Sequence, residues 1–323
     1  MMTLKRLRVV VFSFIAWMAI ARVAMAQERA TEPFTAAALR SAADYLKDRN
    51  GHAMLVYHSE KLVFEEYFNG WSVDQPHRLA SATKSFSGAM LAAAVEDGLL
   101  TVDEKVADTI TEWSNDPRKS QITIRHLLSL TSGIVPGSTR EPSPSYARSV
   151  IISSAKFWPG QRFQYGPIPY QIFGELMRRK LLAKNESVEG YMKRRVLEPI
   201  GLRISRWVKD EDGNVHLPNG MFMTAREWAK FGLFILHQGK SEGQQVVPWN
   251  VLKECFVGTS ANQYYGITFW LGAGRAPSDL IMAKGLGSQH LYVVPSLQLM
   301  VVQFAETQIF DEAIFLQRLL VGR

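Results

Sequence analysis

The 323-residue sequence contains one cysteine, Cys255. A single thiol permits no internal disulfide and no four-cysteine zinc site, so the fold must be held by its apolar core. Cys255 itself reads as a small buried hydrophobe rather than a nucleophile. Seven histidines are present, but none falls in an H-E-x-x-H pattern, and neither a metal nor an organic cofactor is expected. The G-x-S-x-G turn that carries many hydrolase serines is also missing, so His126 in "TIRHLL" has no such partner and reads as structural. No repeat and no low-complexity tract interrupts the chain.

The chain also lacks an apolar run of the about 20 residues that a membrane span requires. The longest, "VVVFSFIAWMAIA", is ended by Arg22. It follows the basic stretch "MMTLKRLR" and precedes Ala24-Met25-Ala26, a small-x-small cleavage site before Gln27. Residues 1–26 therefore read as a secretory signal peptide, with a membrane anchor as the other reading. The expected location is periplasmic or secreted, without a stable anchor after cleavage. Position 27 is not cysteine, which argues against a lipoprotein. The formal charge of +7 includes Lys5, Arg6, Arg8 and Arg22, so removing the leader takes four from it and leaves +3. No dense Lys/Arg block remains, so no nucleic-acid partner is expected.

"FTAAALRSAADYLKDRN" has helical apolar spacing. "HAMLVYH" and "KLVFEEYF", separated by Ser59-Glu60, read as a β-hairpin. From about residue 76 to 250 the patterns are mainly helical, as in "PYQIFGELMRRKLLAK", "VEGYMKRRVLEPIGL" and "TAREWAKFGLFILHQG". Strand-like segments return as "YYGITFWLG", "DLIMAKG", "HLYVVPS" and "LQLMVVQFA", and "DEAIFLQRLLVG" closes the chain as a helix. The expected fold is α+β: an antiparallel sheet built from both chain ends and flanked by terminal helices, with a large helical domain inserted. The domain expectation is residues 31–75 plus 255–323 for the sheet part and 76–254 for the helical part. A cleft between the parts is the default place for a site.

Within "LASATKSFSGAMLAAAVEDGLL", Ser81 precedes Lys84 by three residues, at the head of a run apolar on every side. Such a helix is buried, and lysine is rarely buried without a reason. A serine hydroxyl needs a neighbouring base, and Lys84 on the same face can reach it. An unpaired amide at Ser81 would add an oxyanion donor. The alternative is an N-cap serine beside a solvated lysine. A second copy of the spacing, Ser153-Ser154-Ala155-Lys156, runs at once into Phe157-Trp158-Pro159-Gly160 and should have no helix after it.

"HRLASATKSFSGAMLAAAVEDGLLTVDEKVADTITEW" and "ITIRHLLSLTSGI" resemble the penicillin-recognising serine hydrolases, most nearly the class C β-lactamase-like branch. That branch also holds D-Ala-D-Ala carboxypeptidases, esterases and 6-aminohexanoate-oligomer hydrolases. The resemblance extends from about Phe34 to Ala305. It implies Ser81 as the acylated nucleophile and Lys84 as its partner. It also implies Tyr165, in "WPGQRFQYGPIPYQIFGELM", as proton shuttle, its phenolate favoured by the Lys84 cation. Where the family often has asparagine, two residues after the tyrosine, this chain has Pro167. "KGLGSQH" resembles the Gly-x-Gly-Gly-Gln strand of the 6-aminohexanoate branch. It implies the Leu286 N–H as oxyanion partner of the Ser81 N–H, with Lys284, Gly287, Ser288 and Gln289 as candidate substrate contacts. Lys284 would face an anionic end of the substrate, or be a solvated edge lysine. His290, beside Gln289 on the strand, is a further candidate for ligand contact.

The function expected is an exported serine hydrolase acting on a small ester, amide or peptide-like substrate, esterase or amidase rather than true β-lactamase. The alternative is a catalytically slow relative that binds or senses a cell-wall ligand or penicillin.

Overall fold

The computed structural model describes residues 34–139 and 143–320. The leader read at residues 1–26 lies outside the described residues. Thr35 opens α1 (Ala36–Lys47): its hydroxyl accepts from the Ala38 amide at 3.1 Å, while Leu39, Ala42, Ala43 and Leu46 bury one face. The hairpin follows as β1 (Gly51–His58) and β2 (Lys61–Tyr67). Ser59 and Glu60 both take positive φ, 46° and 69°, as a two-residue type I′ turn requires.

Next come β3 (His77–Arg78), a 3₁₀ segment over Ala80–Ser85, and α2 (Phe86–Glu96). The central part continues through α3 (Ile124–Leu128), α4 (Tyr146–Ile152), α5 (Ile168–Leu181) and α6 (Val188–Met192), whose end widens into a π turn over Lys193–Leu197. Then follow β4 (Arg206–Trp207), β5 (Met221–Met223), α7 (Ala225–Leu236), the small hairpin β6 (Lys240–Ser241) and β7 (Gln244–Gln245), and α8 (Trp249–Leu252). The last elements are β8 (Trp270–Leu271), β9 (Ile281–Gly285), β10 (Gln289–Val294), β11 (Leu299–Ala305) and α9 (Glu312–Leu319).

The main sheet is antiparallel, in the order β2-β1-β11-β10-β9-β8. Chain ends meet at its centre, where Gly51 pairs with Ala305 and His58 with Leu299. Side chains alternate across it. Met54, Val56, Met282, Tyr292 and Val301 face α1 and α9, packing on Leu39, Leu46, Phe315 and Leu319. Ala53, Leu55, Ala283, Leu291 and Val302 face the rest of the molecule. That face is covered by α7, which comes close because Gly232 has no side chain: a Cβ there would stand 2.6 Å from Met300 Cγ and 2.8 Å from Leu291 Cδ1. A helix within the expected helical stretch thus packs on the sheet, and one continuous core runs from β1 through α2 to α7. Among the described residues no helix is long and apolar enough to cross a membrane.

The mixed helix and antiparallel-sheet class is the one expected. Two local differences stand out. "YYGITFWLG" contributes only the two-residue β8, and the mainly helical stretch holds a three-stranded sheet, β3-β5-β4. Strands of two or three residues are too short for a period of two to show in sequence.

Candidate active site

The chain leading to Ser81 is pinned before it turns. His77 and Arg78 pair with Met223 and Phe222, and the Leu79 amide donates to the Met221 carbonyl at 2.9 Å. Ala80 then takes φ 47°, a left-handed conformation that costs a non-glycine residue about 1 kcal/mol or more. Buried Thr83 holds this bend: its hydroxyl donates to the Ala80 carbonyl at 2.8 Å and accepts from the Met221 amide at 3.2 Å. Ser81 and Lys84 lie in the 3₁₀ segment, not in the first turn of α2 as their spacing suggests. With about three residues per turn, positions i and i+3 eclipse, so the two side chains are stacked in line.

Phe86 to Ala94 are buried all round, and Lys84 at their head is only 2% exposed. Its Nζ lies 3.1 Å from Ser81 Oγ and donates to the Pro218 carbonyl at 2.9 Å. The same nitrogen is 5.0 Å from the Tyr165 ring centre and 5.6 Å from that of Tyr170. Burial disfavours the charged form and brings the amine down to about 7. Near neutral pH a large share of Lys84 therefore carries a lone pair. A neutral amine can donate to Pro218 and accept from Ser81, which is the orientation that removes a serine proton.

Burial raises the Tyr165 pKa, and the neighbouring Ser81 and Trp270 side chains lower it without reversing the direction. This corrects one expectation. The shuttle role was expected to need a phenolate favoured by the Lys84 cation, but burial raises the tyrosine pKa and lowers that of Lys84, which is the group pushed toward the basic role. Gly166 fixes the backbone beside Tyr165, since a Cβ there would stand 2.3 Å from the Pro136 carbonyl oxygen. Pro167 is the residue that caps the start of α5, and its carbonyl accepts from the Tyr170 and Gln171 amides. It offers no side-chain amide to Lys84, whose second donor goes to Pro218 instead.

Aromatic rings wall this corner. Tyr165 and Trp270 are 5.6 Å apart, Tyr265 meets Trp270 edge-on at 4.9 Å, and Phe163 lies 5.1 Å from Tyr265. The Tyr170 and Tyr265 hydroxyls are 2.9 Å apart, and Tyr170 donates to the Leu128 carbonyl. Reading the sequence missed Trp270, Tyr265, Tyr170 and Pro218. The aromatics of "FQYGPIPY" and "YYGITFW" were a usable signal; the Pro218 carbonyl left none.

The 3₁₀ segment lies against β9. Strand β8 pairs only with Ile281 and Met282, so Ala283 to Gly285 are left for it. Leu286 to Ser288 form a turn, not a continued strand, with φ 84° at Gly287 and 69° at Ser288. The Leu286 side chain is 74% exposed, while its backbone follows directly on Gly285. The Gly287 carbonyl accepts from the Thr307 amide at 3.2 Å, and Ser288 Oγ donates to the Thr307 carbonyl at 3.3 Å. Buried Gln289 donates to the carbonyls of Gly287 and Ala305. These three candidate contacts spend polar groups on bracing the turn. Lys284 is partly exposed and paired with an acid: its Nζ is 2.8 Å from Glu312 Oε2.

The remaining sequence candidates lie in structural roles. His126 forms a reciprocal cap with Thr123 at the start of α3. Cys255 is fully buried, its thiol pushed up to about 12. His290 is buried with Nδ1 2.7 Å from the Tyr292 hydroxyl. Ser153 Oγ donates to the Val150 carbonyl and Lys156 is exposed, so the second copy of the spacing brings nothing together.

The beta-lactamase family matches residues 39–315. The chain belongs to that family. An uncharacterized protein of Alkalihalophilus pseudofirmus is 28% identical over 230 residues, 64% of this chain and 65% of that one. Protein flp of Staphylococcus aureus (strain MRSA252) is 21% identical over 184 residues, 51% of this chain and 36% of that one. The chain thus spans less than two thirds of either relative. Among solved structures, the provisionally named 6-aminohexanoate-dimer hydrolase of Bacillus anthracis has a TM-score of 0.70 at 20% identity, covering 84% of this chain and 78% of that one. EstCE1, described as a hydrolase with promiscuous acyltransferase activity, has a TM-score of 0.71 at 13% identity, covering 88% and 97%. A penicillin-binding protein homolog of Caulobacter crescentus has a TM-score of 0.69 at 16% identity, covering 84% and 91%. At these identities the likeness is one of fold.

Proposed function

We propose that the protein is an acyl-transfer hydrolase that cleaves an ester or amide through an acyl-enzyme on Ser81. The observation that carries this reading is the buried Lys84 amine, drawn down to about 7 and 3.1 Å from Ser81 Oγ. Neutral Lys84 takes the serine proton as Oγ adds to the substrate carbonyl. The carbonyl oxygen becomes an oxyanion, held by the Ser81 and Leu286 backbone N–H groups. Ser81 lies in the first turn of a 3₁₀ segment, where amides lack partners within the segment. As the tetrahedral intermediate collapses, the C–O or C–N bond to the leaving group breaks. Tyr165 gives its hydroxyl proton to that group and is resupplied from the Lys84 ammonium. Water then adds to the acyl-enzyme, its proton passing to the same pair, and the acid and free Ser81 are released.

The hydrolase names of the fold neighbours agree with acyl transfer, and the aromatic wall suits an apolar substrate rather than a peptidoglycan peptide. Pro167, which supplies no side-chain amide beside Lys84, favours one second reading: a slow relative that keeps a ligand as a stable adduct. In either reading the mature chain begins after residue 26 and acts outside the cytoplasm.

The test is intact-mass labelling with a fluorophosphonate and with a penicillin, followed by turnover of 4-nitrophenyl esters. Wild type and Ser153→Ala should add one fluorophosphonate and hydrolyse the esters. Ser81→Ala should do neither. A persistent penicillin adduct without ester turnover supports the binding reading, and label retained in Ser81→Ala refutes the assignment.

A further inference from the structure

Glu312 has no part in the chemistry above, yet it reaches the edge of the site from the far end of the chain. It is the first residue of α9, held there by the Asp311 cap, which accepts from the Ala313 and Ile314 amides. Alternation along β9 turns Lys284 to the same side as Met282, the side that α9 covers. There Lys284 Nζ meets Glu312 Oε2 at 2.8 Å. The ammonium also lies 5.9 Å from the Trp270 ring centre, and Trp270 is the neighbour of Tyr165 in the aromatic wall. One residue further on, Gly285 touches the Leu79 carbonyl beside the Ser81 turn. Lys284 is thus a cation beside Trp270 and one residue from the strand end that meets the Ser81 turn, and its side chain is 30% exposed.

Among the described residues Lys284 and His290 are the only cationic side chains paired with the Glu312 carboxylate. His290 Nδ1 is 3.7 Å away, but burial and the Lys284 charge push that ring down to about 3, so it stays neutral. The Tyr292 hydroxyl is engaged with His290 and Gln303 and brings no charge. One positive and one negative charge therefore cancel beside Trp270. We infer that Glu312 is a specificity-determining residue: it masks Lys284, so that the site favours substrates uncharged at this end and gives no hold to a carboxylate. This rests on the acyl-transfer reading and narrows its substrate class. A carboxylate-bearing substrate would have to displace Glu312 from Lys284, leaving a half-buried acid unpaired.

Two esters differing only at the far end test it: 4-nitrophenyl methyl adipate and mono-4-nitrophenyl adipate. The readout is the ratio of kcat/KM for the acid to kcat/KM for the methyl ester, measured in the same preparation. Both esters sample the same folded fraction, so the ratio is insensitive to a partial loss of folding. Glu312→Gln should raise it about fivefold, the scale of a partly exposed ion pair. Lys284→Met alone should lower it, because Glu312 is then unmasked. Lys284→Met added to Glu312→Gln should abolish the gain. A ratio unchanged in Glu312→Gln, or a gain that survives the loss of Lys284, overturns the inference. Turnover of neither ester by wild type refutes the acyl-transfer reading itself, and the specificity claim with it.

Discussion

Gly285 and Leu79 touch through their backbones: a Cβ at position 285 would stand 2.1 Å from the Leu79 carbonyl oxygen. This contact sets β9 against the Ser81 turn and carries the Leu286 amide with it. Gly285→Ala must push the two apart. We expect the folded state to survive, because the strand is at its end there, while kcat/KM for a 4-nitrophenyl ester falls about 100-fold, the scale of losing one oxyanion donor. Wild-type activity in Gly285→Ala would show that this proximity is not needed.

Lys84 is buried at a cost. Its pKa is about 7 in the fold and 10.5 in the unfolded chain. Between those values the unfolded state binds more protons, so stability rises with pH across the window and the burden is greatest below it. Lys84→Met should therefore lose activity by several orders of magnitude and yet melt about 3 °C higher than wild type at neutral pH. That advantage should shrink as pH approaches 10.5. The check is a thermal melt of both proteins from pH 6 to the alkaline end of the window. For wild type, kcat/KM should rise through about pH 7 as the amine loses its proton.

Tyr165 is a phenol raised above its usual range, so its ionisation should not appear in the pH–rate profile below pH 10. Tyr165→Phe should still take the fluorophosphonate on Ser81, with ester turnover down about 100-fold, the value of one positioned proton donor. Complete loss of labelling would instead make Tyr165 essential for activating the serine.

A second buried pair links β1 to β3. His52 Nδ1 is 2.9 Å from His77 Nε2, with Trp71 stacked on His52 at 4.4 Å and Phe304 stacked on His77 at 4.8 Å. Burial is the main cause that lowers both rings, His52 to about 4. The unfolded chain takes up protons first as pH falls from 6.5, so this pair should make the protein acid-sensitive between 6.5 and about 4. His52→Gln should flatten the fall in melting temperature between pH 6.5 and 4.5. An equally steep fall in the variant would place the acid sensitivity elsewhere.

Gly232 sets the distance between α7 and the sheet. Gly232→Leu would place its side chain on Met300 and Leu291, and should destabilise the fold by about 1–3 kcal/mol through overpacking. The measurement is urea unfolding at constant m-value.

What could be read in the sequence follows from how far each feature reaches along the chain. The face of α1, the Ser59-Glu60 hairpin and the apolar run after Lys84 are local patterns, and each appears where its spacing puts it. Ser81 and Lys84 were legible for the same reason, three residues apart in one turn. The Lys84–Pro218 bond joins residues 134 apart in sequence, and the Lys284–Glu312 pair joins β9 to α9 across two intervening strands, a packing that no periodicity encodes. The strand expected through Leu286 to Ser288 became a turn because Thr307 and Gln289 hold its polar groups. Alternation of apolar residues cannot report such partners.

The pairing of β1 with β11 has a consequence for assembly. The pairing of the two strands needs Gly51 and Ala305 together, so the layer cannot close until the chain has been made through residue 305. Loop-closure entropy is then met late, and the rate of acquiring the native state should be slow for a protein of this size. A chain cut before residue 299 would lack the partner of β1 and should remain open, its serine and lysine never brought to their positions.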